Sequence, residues 1–192
     1  MMSALEIVRR SIAPRRITPV AANGAPITIL FTDMEGFTQM TERLGDKRAL
    51  AVVRDHNRIV RNEVATYGGT EVELQGDGFL LAFSALRSGL ECAIAIQKAF
   101  AAYNQKHDEQ PIRVRMGVHH GVTICEAGKF FGKTVILATR IAAQARGEEI
   151  LVSTFVRDML GATAAALRFG EPRELELHGL GGTHPVCALG WR

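Results

Sequence analysis

The sequence predicts an α+β domain, an antiparallel-rich sheet with helices packed on one face. Three observations carry this. Short β-rich runs and long amphipathic runs follow the order β-α-α-β-β-α-β, with further α and β elements behind them. Two of the β runs meet at Gly76-Asp77-Gly78, a hairpin signal, and hairpins join antiparallel strands. The regular β-α alternation that a doubly wound parallel sheet requires is missing.

Residues 1–25 read as a basic N-terminal extension or linker. Leu5, Ile7, Val8 and Ile12 are candidate apolar contacts of a short amphipathic helix that Pro14 interrupts, and PVAANGAP has linker composition. A continuous apolar segment of signal-peptide type is missing. Residues 26–192 form the body. ITILFTD is a β-rich run that ends on an acid. In TERLGDKRALAVVRDHNRIVRNEVATYGG, Leu50, Val53, Ile59, Val60 and Val64 recur at helical spacing, and Gly68-Gly69 stops the helix. TEVELQGDGFLLAF is the hairpin. SALRSGLECAIAIQKAFAAYNQKH is a second long helix, IRVRMGVHHGVTI an alternating strand, and GKTVILATRIAAQARG a third helix. EILVS, the short helix STFVRDML and two β-rich runs near 166–177 and 184–190 complete the chain.

Composition excludes several function classes. The chain has 192 residues, 47% of them hydrophobic and 22% charged, which suits one globular domain with its own core. Its net charge of +3 resides wholly in residues 1–25, where Arg9, Arg10, Arg15 and Arg16 face Glu6; the body holds 19 bases and 19 acids. A neutral body with 6% aromatic residues argues against a nucleic-acid partner. No apolar run reaches the ~18–20 residues of a membrane span. Cys92, Cys125 and Cys187 are too scattered for a disulfide framework or a metal knuckle, so a cytoplasmic location is expected.

Two segments offer chemistry. In Phe31-Thr32-Asp33-Met34-Glu35-Gly36-Phe37-Thr38, an Asp at the end of a buried strand opens into a Gly turn and a helix. That arrangement places a carboxylate for a hard cation beside backbone N–H groups suited to phosphate. In Gln75-Gly76-Asp77-Gly78-Phe79, an Asp stands at a hairpin tip. If the first strand lies beside that hairpin, Asp33 and Asp77 converge on a two-metal type of site. Singly, each Asp is also ordinary turn chemistry. His119 and His120 are adjacent on a strand and point to opposite faces, which argues against a shared metal.

From about Ile27 to Leu189 the chain resembles the class III nucleotide cyclases, the adenylate/guanylate cyclase homology domain of ferredoxin-like βααββαβ shape. FTDMEGFT, EVELQGDGF, RVRMGVHHG, FFGKTVILATRIAAQA and ILVS follow in the family's order. The resemblance implies a phosphorus–oxygen lyase that converts a nucleoside triphosphate, ATP or GTP, to the 3′,5′-cyclic monophosphate and pyrophosphate. It implies that Asp33 and Asp77, with the Met34 carbonyl, hold two Mg²⁺ or Mn²⁺ ions. Gly36, Phe37 and Thr38 match the turn whose amides hold triphosphate, and Arg115 a triphosphate-contacting arginine. Arg140 matches the catalytic arginine that stabilises charge on the α-phosphate. The family's site lies at a homodimer interface, with metals from one protomer and Arg140 from its partner.

Four positions depart from the adenylate cyclase pattern. Glu73 stands where adenine is read by Lys; a carboxylate suits the N1–H and N2–H donors of guanine. Lys129 matches neither the adenine nor the guanine pocket, and direct base contact and a Glu73–Lys129 salt bridge are both open. Ile136 replaces a ribose-orienting Asn and cannot donate a hydrogen bond. His178 stands where a triphosphate-binding Lys is common and is the weaker cation. These departures leave two alternatives beside the purine cyclase: a catalytically weak nucleotide-binding or dimerisation module, and a cyclase of unusual, including pyrimidine, specificity.

Overall fold

The structure, a computed structural model, describes residues 24–192. The helix expected over residues 5–12 lies outside them. Strand β1 (Pro26–Met34) is the middle of the functional half of the molecule. It pairs antiparallel with β3 (Gly78–Phe83) on one side and β4 (Val114–Val122) on the other. The seven-stranded sheet runs β2-β3-β1-β4-β7-β9-β8, with β2 spanning Thr70–Gln75, β7 Ile150–Ser153, β8 Arg173–Glu176 and β9 Thr183–Ala188. Only β4 and β7 are parallel among the described pairs. The expected α+β class and antiparallel-rich sheet are therefore present.

Both faces of the sheet are covered, which is why ITILF reads as a continuous apolar run rather than an alternating one. Helices α2 (Asp46–Thr66) and α3 (Leu86–Asn104) cover one face. There Val60, Val64, Leu90, Ile96 and Phe100 join Leu30, Leu81, Phe83, Met116 and Val118 in the main core. The third long helix expected from sequence, here α4 (Lys133–Gln144), takes the opposite face instead. Its Ala138 and Ala142 pack with Ile29, Phe31, Leu80 and Ala82, and its Leu137 and Ile141 with Leu151, Leu177 and Val186. The one-face arrangement is thus extended to two, and small residues are the physical reason. A Cβ at Gly117 would lie 2.2 Å from the Ala142 nitrogen and 2.3 Å from the Ala138 oxygen, so α4 rests directly on the β4 backbone.

Shorter elements complete the chain. Helix α1 (Phe37–Leu44) follows β1 and is split from α2 at Gly45, whose φ of 73° breaks the helical run. A small hairpin of β5 (Ile124–Glu126) and β6 (Lys129–Phe131) precedes α4. Sequence reading misses it, because its strands have three residues each and its turn places Ala127 at a positive φ of 51°. Helix α5 (Thr154–Met159) and a 3₁₀ turn over Gly161–Ala166 lead to β8.

Because Gly117 admits no side chain, Gly117→Ala is expected to lower stability by about 3 kcal/mol through overpacking between α4 and β4. Urea unfolding of the two chains measures this, and an unchanged midpoint would show that α4 does not depend on this close approach.

Candidate active site

The hairpin that carries Asp77 is seated on β1 by backbone contact. Thr32 pairs with Phe79, and the Phe79 amide donates to Thr32 Oγ1 at 3.1 Å. A Cβ at Gly78 would stand 2.3 Å from the Thr32 carbonyl oxygen, so no residue with a side chain fits here without moving a strand. Gln75 pairs with Gly78, which leaves Gly76 and Asp77 as a two-residue turn with Gly76 at φ 65°. These contacts bring Asp77 to the end of β1, where Asp33 stands.

Asp33 faces Arg115 directly across the β1–β4 ladder. Arg115 donates to one carboxylate oxygen, Asp33 Oδ2, from Nε at 2.8 Å and from Nη2 at 2.5 Å. Asp33 Oδ1 is not claimed by that pair. The Asp77 carboxyl is pushed up from its usual 3.8 to about 6. Burial is the main cause and the neighbouring Asp33 charge the second; nearby backbone amides and Arg115 pull the other way. Asp33, Asp77 and Arg115 therefore form one electrostatic cluster. With the Met34 carbonyl, the carboxylates would offer an all-oxygen donor set, which suits a hard cation such as Mg²⁺ or Mn²⁺. Among the described residues no group of three His, Cys, Asp or Glu side chains gathers to hold a metal, so further ligands would have to be water and substrate oxygens.

The chain then turns at Gly36, whose φ of 72° is left-handed, and enters α1 at Phe37. The first intrahelical bond runs from the Met40 amide to the Gly36 carbonyl. No side chain caps this end, which leaves the Phe37 and Thr38 amides without an intrahelical partner, three and four residues past Met34. A helix N-terminus of this kind attracts anions.

The hairpin is braced from behind. Arg61 on α2 grips Glu71 on β2 with two bonds, at 2.6 and 2.7 Å, and its guanidinium lies 5.3 Å from the centre of the Phe79 ring. His56 packs against Phe79 and Phe100; burial lowers its pKa to about 4, so it is neutral. Spacing in the sequence gives no hint of these contacts, since Arg61 and Glu71 belong to separate elements.

Among the described residues, none of the other expected site residues is hydrogen-bonded or ion-paired to this cluster. Ile136 and Arg140, four residues apart on α4, share the flank turned away from the sheet; Ile136 is 46% exposed and Arg140 half-buried. No hydrogen bond or ion pair joins Arg140 to Asp33 or Asp77 among the described residues. Glu73 and Lys129 are both exposed. They do not pair: Glu73 Oε2 accepts from Gln75 Nε2 at 2.9 Å, and no salt bridge to Lys129 forms. His178 is exposed. His119 and His120 do face opposite sides, His119 toward Ser153 Oγ at 2.7 Å and His120 toward Thr28 Oγ1 at 2.9 Å.

This architecture has relatives. The sequence model of the adenylate and guanylate cyclase catalytic domain matches residues 20–186, and the chain belongs to that family, a class of nucleotide-cyclising phosphorus–oxygen lyases. The adenylate cyclase of Podospora anserina is 30% identical over 152 residues, which cover 67% of this chain and 7% of that protein. The chain thus spans a small part of the length of that curated relative. The crystal structure of the adenylyl cyclase CyaB from P. aeruginosa superposes with a TM-score of 0.78 at 19% identity, covering 86% of this chain and 93% of that one. The guanylyl cyclase Cya2 gives 0.74 at 23% identity, with 88% and 94% covered. At these identities the two structures establish the shared fold.

The raised pKa of Asp77 has a sign. The folded chain holds this proton more tightly than the unfolded chain, so Asp77 subtracts stability as pH rises from about 4 to about 6 and subtracts a constant amount above that. In EDTA, Asp77→Asn is expected to be more stable than the parent at pH 7, by on the order of 1 kcal/mol after solvent screening. The difference should shrink toward pH 4. Urea midpoints at the two pH values test it, and a pH-independent difference would contradict the electrostatic origin.

Proposed function

We propose that this chain is a metal-dependent cyclase of purine nucleoside triphosphates, with each active site assembled from two copies. The observation that carries the reading is the closeness of Asp33 and Asp77 beside the uncapped start of α1, while Arg140, among the described residues, makes no hydrogen bond or ion pair with either carboxylate. Carboxylates for cations and amides for phosphate meet at one sheet end. The cation for the α-phosphate is then left for another copy to supply.

In the reaction the 3′-hydroxyl oxygen gives up its proton to water and bonds to the α-phosphorus, the bond from that phosphorus to the bridging oxygen breaks, and pyrophosphate leaves. Two divalent ions, Mg²⁺ or Mn²⁺, bound by Asp33, Asp77 and the Met34 carbonyl, would supply Lewis-acid activation of the hydroxyl and neutralise phosphate charge. Gly36 lets the chain turn so that the Phe37 and Thr38 amides face the triphosphate. Arg115 adds a guanidinium at the same end and holds one oxygen of Asp33 in place. Arg140 from the second copy stabilises the charge that develops on the α-phosphate. His178 is a further candidate for phosphate contact.

The surface supports a homodimer. Val122, Ile124, Phe131 and Ile136 are between 46% and 63% exposed. Ile124 sits opposite Phe131 in the small hairpin, and Thr134 Oγ1 donates to the Val122 carbonyl, which ties the start of α4 to the same region. An exposed apolar patch next to Arg140 fits burial against a second copy. Glu73, exposed and free of Lys129, is an acceptor suited to guanine, and Lys129 is free to meet a base or phosphate oxygen. Ile136 favours a second reading, a nucleotide-binding dimer of low turnover, because it brings no donor for a ribose. No helix among the described residues is long and apolar enough to cross a membrane, and all three cysteines are unpaired, which fits a reducing cytoplasm.

Incubation with Mn²⁺ and ATP, GTP, CTP or UTP, read by mass spectrometry, should yield a cyclic monophosphate, with a purine nucleotide as the preferred substrate. Asp33→Ala, Asp77→Ala and Arg140→Ala should each reduce the rate by about 100-fold or more. Mixing Asp77→Ala with Arg140→Ala chains should restore one intact site per mixed dimer. Metal-dependent nucleotide binding with no product would support the low-turnover reading instead.

A further inference from the structure

Glu35 stands between the last residue of β1 and the glycine that opens α1, inside the segment that offers both metal and phosphate contacts. Its backbone amide donates to the Arg113 carbonyl at 2.8 Å. Its side chain does not join the α1 amides two residues away. It reaches across the sheet end instead, where Glu35 Oε1 accepts the Gly147 amide at 2.9 Å.

Gly147 lies in the turn that joins α4 to β7. The turn is held firmly: Ala145 donates to the Ala142 carbonyl, Glu148 to the Val114 carbonyl, and the Arg146 amide to Glu149 Oε2. A Cβ at Gly147 would lie 2.4 Å from Glu35 Oε2 and 3.0 Å from Arg113 Cβ. The carboxylate therefore occupies the space that a side chain at 147 would fill. A negative group just past the C-terminus of a helix is disfavoured by the helix dipole, so helix electrostatics does not explain the contact. What the contact achieves is mechanical. It ties the strand end that bears Asp33 and Met34 to the end of the helix that bears Arg140, five residues before the C-cap Ala145. Ala138 and Ala142 hold the middle of α4 on Gly117, and Glu35 fixes its C-terminal end.

We propose that Glu35 is a positioning residue that sets the placement of Arg140 through Gly147 and α4. This rests on the shared-site reading above, in which Arg140 serves the partner's site. On that reading Glu35 acts in trans: it lies beside the carboxylates of one site and orients the arginine of the other. The two sites of a dimer are then mechanically linked through each protomer.

Mixed dimers separate this from a local effect. One chain carries Arg140→Ala and supplies the carboxylates; the other carries Asp77→Ala and supplies Arg140. Glu35→Ala is then placed only in the chain that supplies Arg140. The expected result is a fall in kcat on the order of tenfold. KM and Mn²⁺ affinity should stay unchanged, because the carboxylates and phosphate amides come from the other chain. Glu35→Gln in the same chain, whose side-chain carbonyl still accepts from Gly147, should restore most of the loss. Undiminished kcat with Glu35→Ala in that chain overturns the proposal while leaving the shared site intact. A loss that Glu35→Gln fails to rescue also overturns it. Absence of product in the parental mixture, with mixed dimers verified by native mass spectrometry, overturns the shared-site reading and this proposal with it.

Discussion

The close approach of β3 to β1 at Gly78 is the constraint on which the rest depends. With no side chain at 78, the backbone of one strand rests against the Thr32 carbonyl of its neighbour. The Phe79 amide closes the contact on Thr32 Oγ1. The two-residue turn then has one place to go, and Asp77 arrives beside Asp33. The Arg61–Glu71 pair and the packed Phe79 ring stiffen the same hairpin from the opposite face. Burial of Asp77 first, and the charge of the neighbouring Asp33 second, make its ionised form costly, and its raised pKa is the sign of that cost. The fold thus stores at one sheet end an electrostatic demand that divalent ions and a polyphosphate can meet together.

The second organising feature is the helix on the far face. Helix α4 lies on β4 because Gly117, Ala138 and Ala142 are small, and its outward flank carries Ile136 and Arg140. Its C-terminal end returns to the strand end that carries Asp33 through Glu35 and Gly147. One helix therefore links the apolar patch around Phe131 to the loop that precedes α1. On the proposed two-copy reading, this would be a physical route by which assembly and occupancy of a site affect each other.

Much of this was legible in the sequence. The strand ITILFTD, the hairpin at Gly76-Asp77-Gly78 and the three long helices follow from periodicity and glycine stops, because those signals are local. The meeting of Asp33 and Asp77 followed from placing the hairpin next to the first strand. The Asp33–Arg115 pair was not visible: it joins residues 82 apart and depends on the β1–β4 register. The Glu35–Gly147 contact spans 112 residues and is equally hidden. The side of the sheet that α4 chose depends on a glycine whose partner is unknown until the strands are ordered. The open Glu73–Lys129 pair was resolved by side-chain placement, which spacing does not encode, and Glu73 turned to Gln75 instead.

Mn²⁺ binding followed by electron paramagnetic resonance in the parent and in Gly78→Ala tests the central claim most directly, with circular dichroism melting to establish that both chains are folded. If backbone contact at Gly78 brings Asp77 to Asp33, the folded Gly78→Ala chain should bind Mn²⁺ at least about tenfold more weakly. Undiminished Mn²⁺ affinity in a folded Gly78→Ala chain would contradict the account.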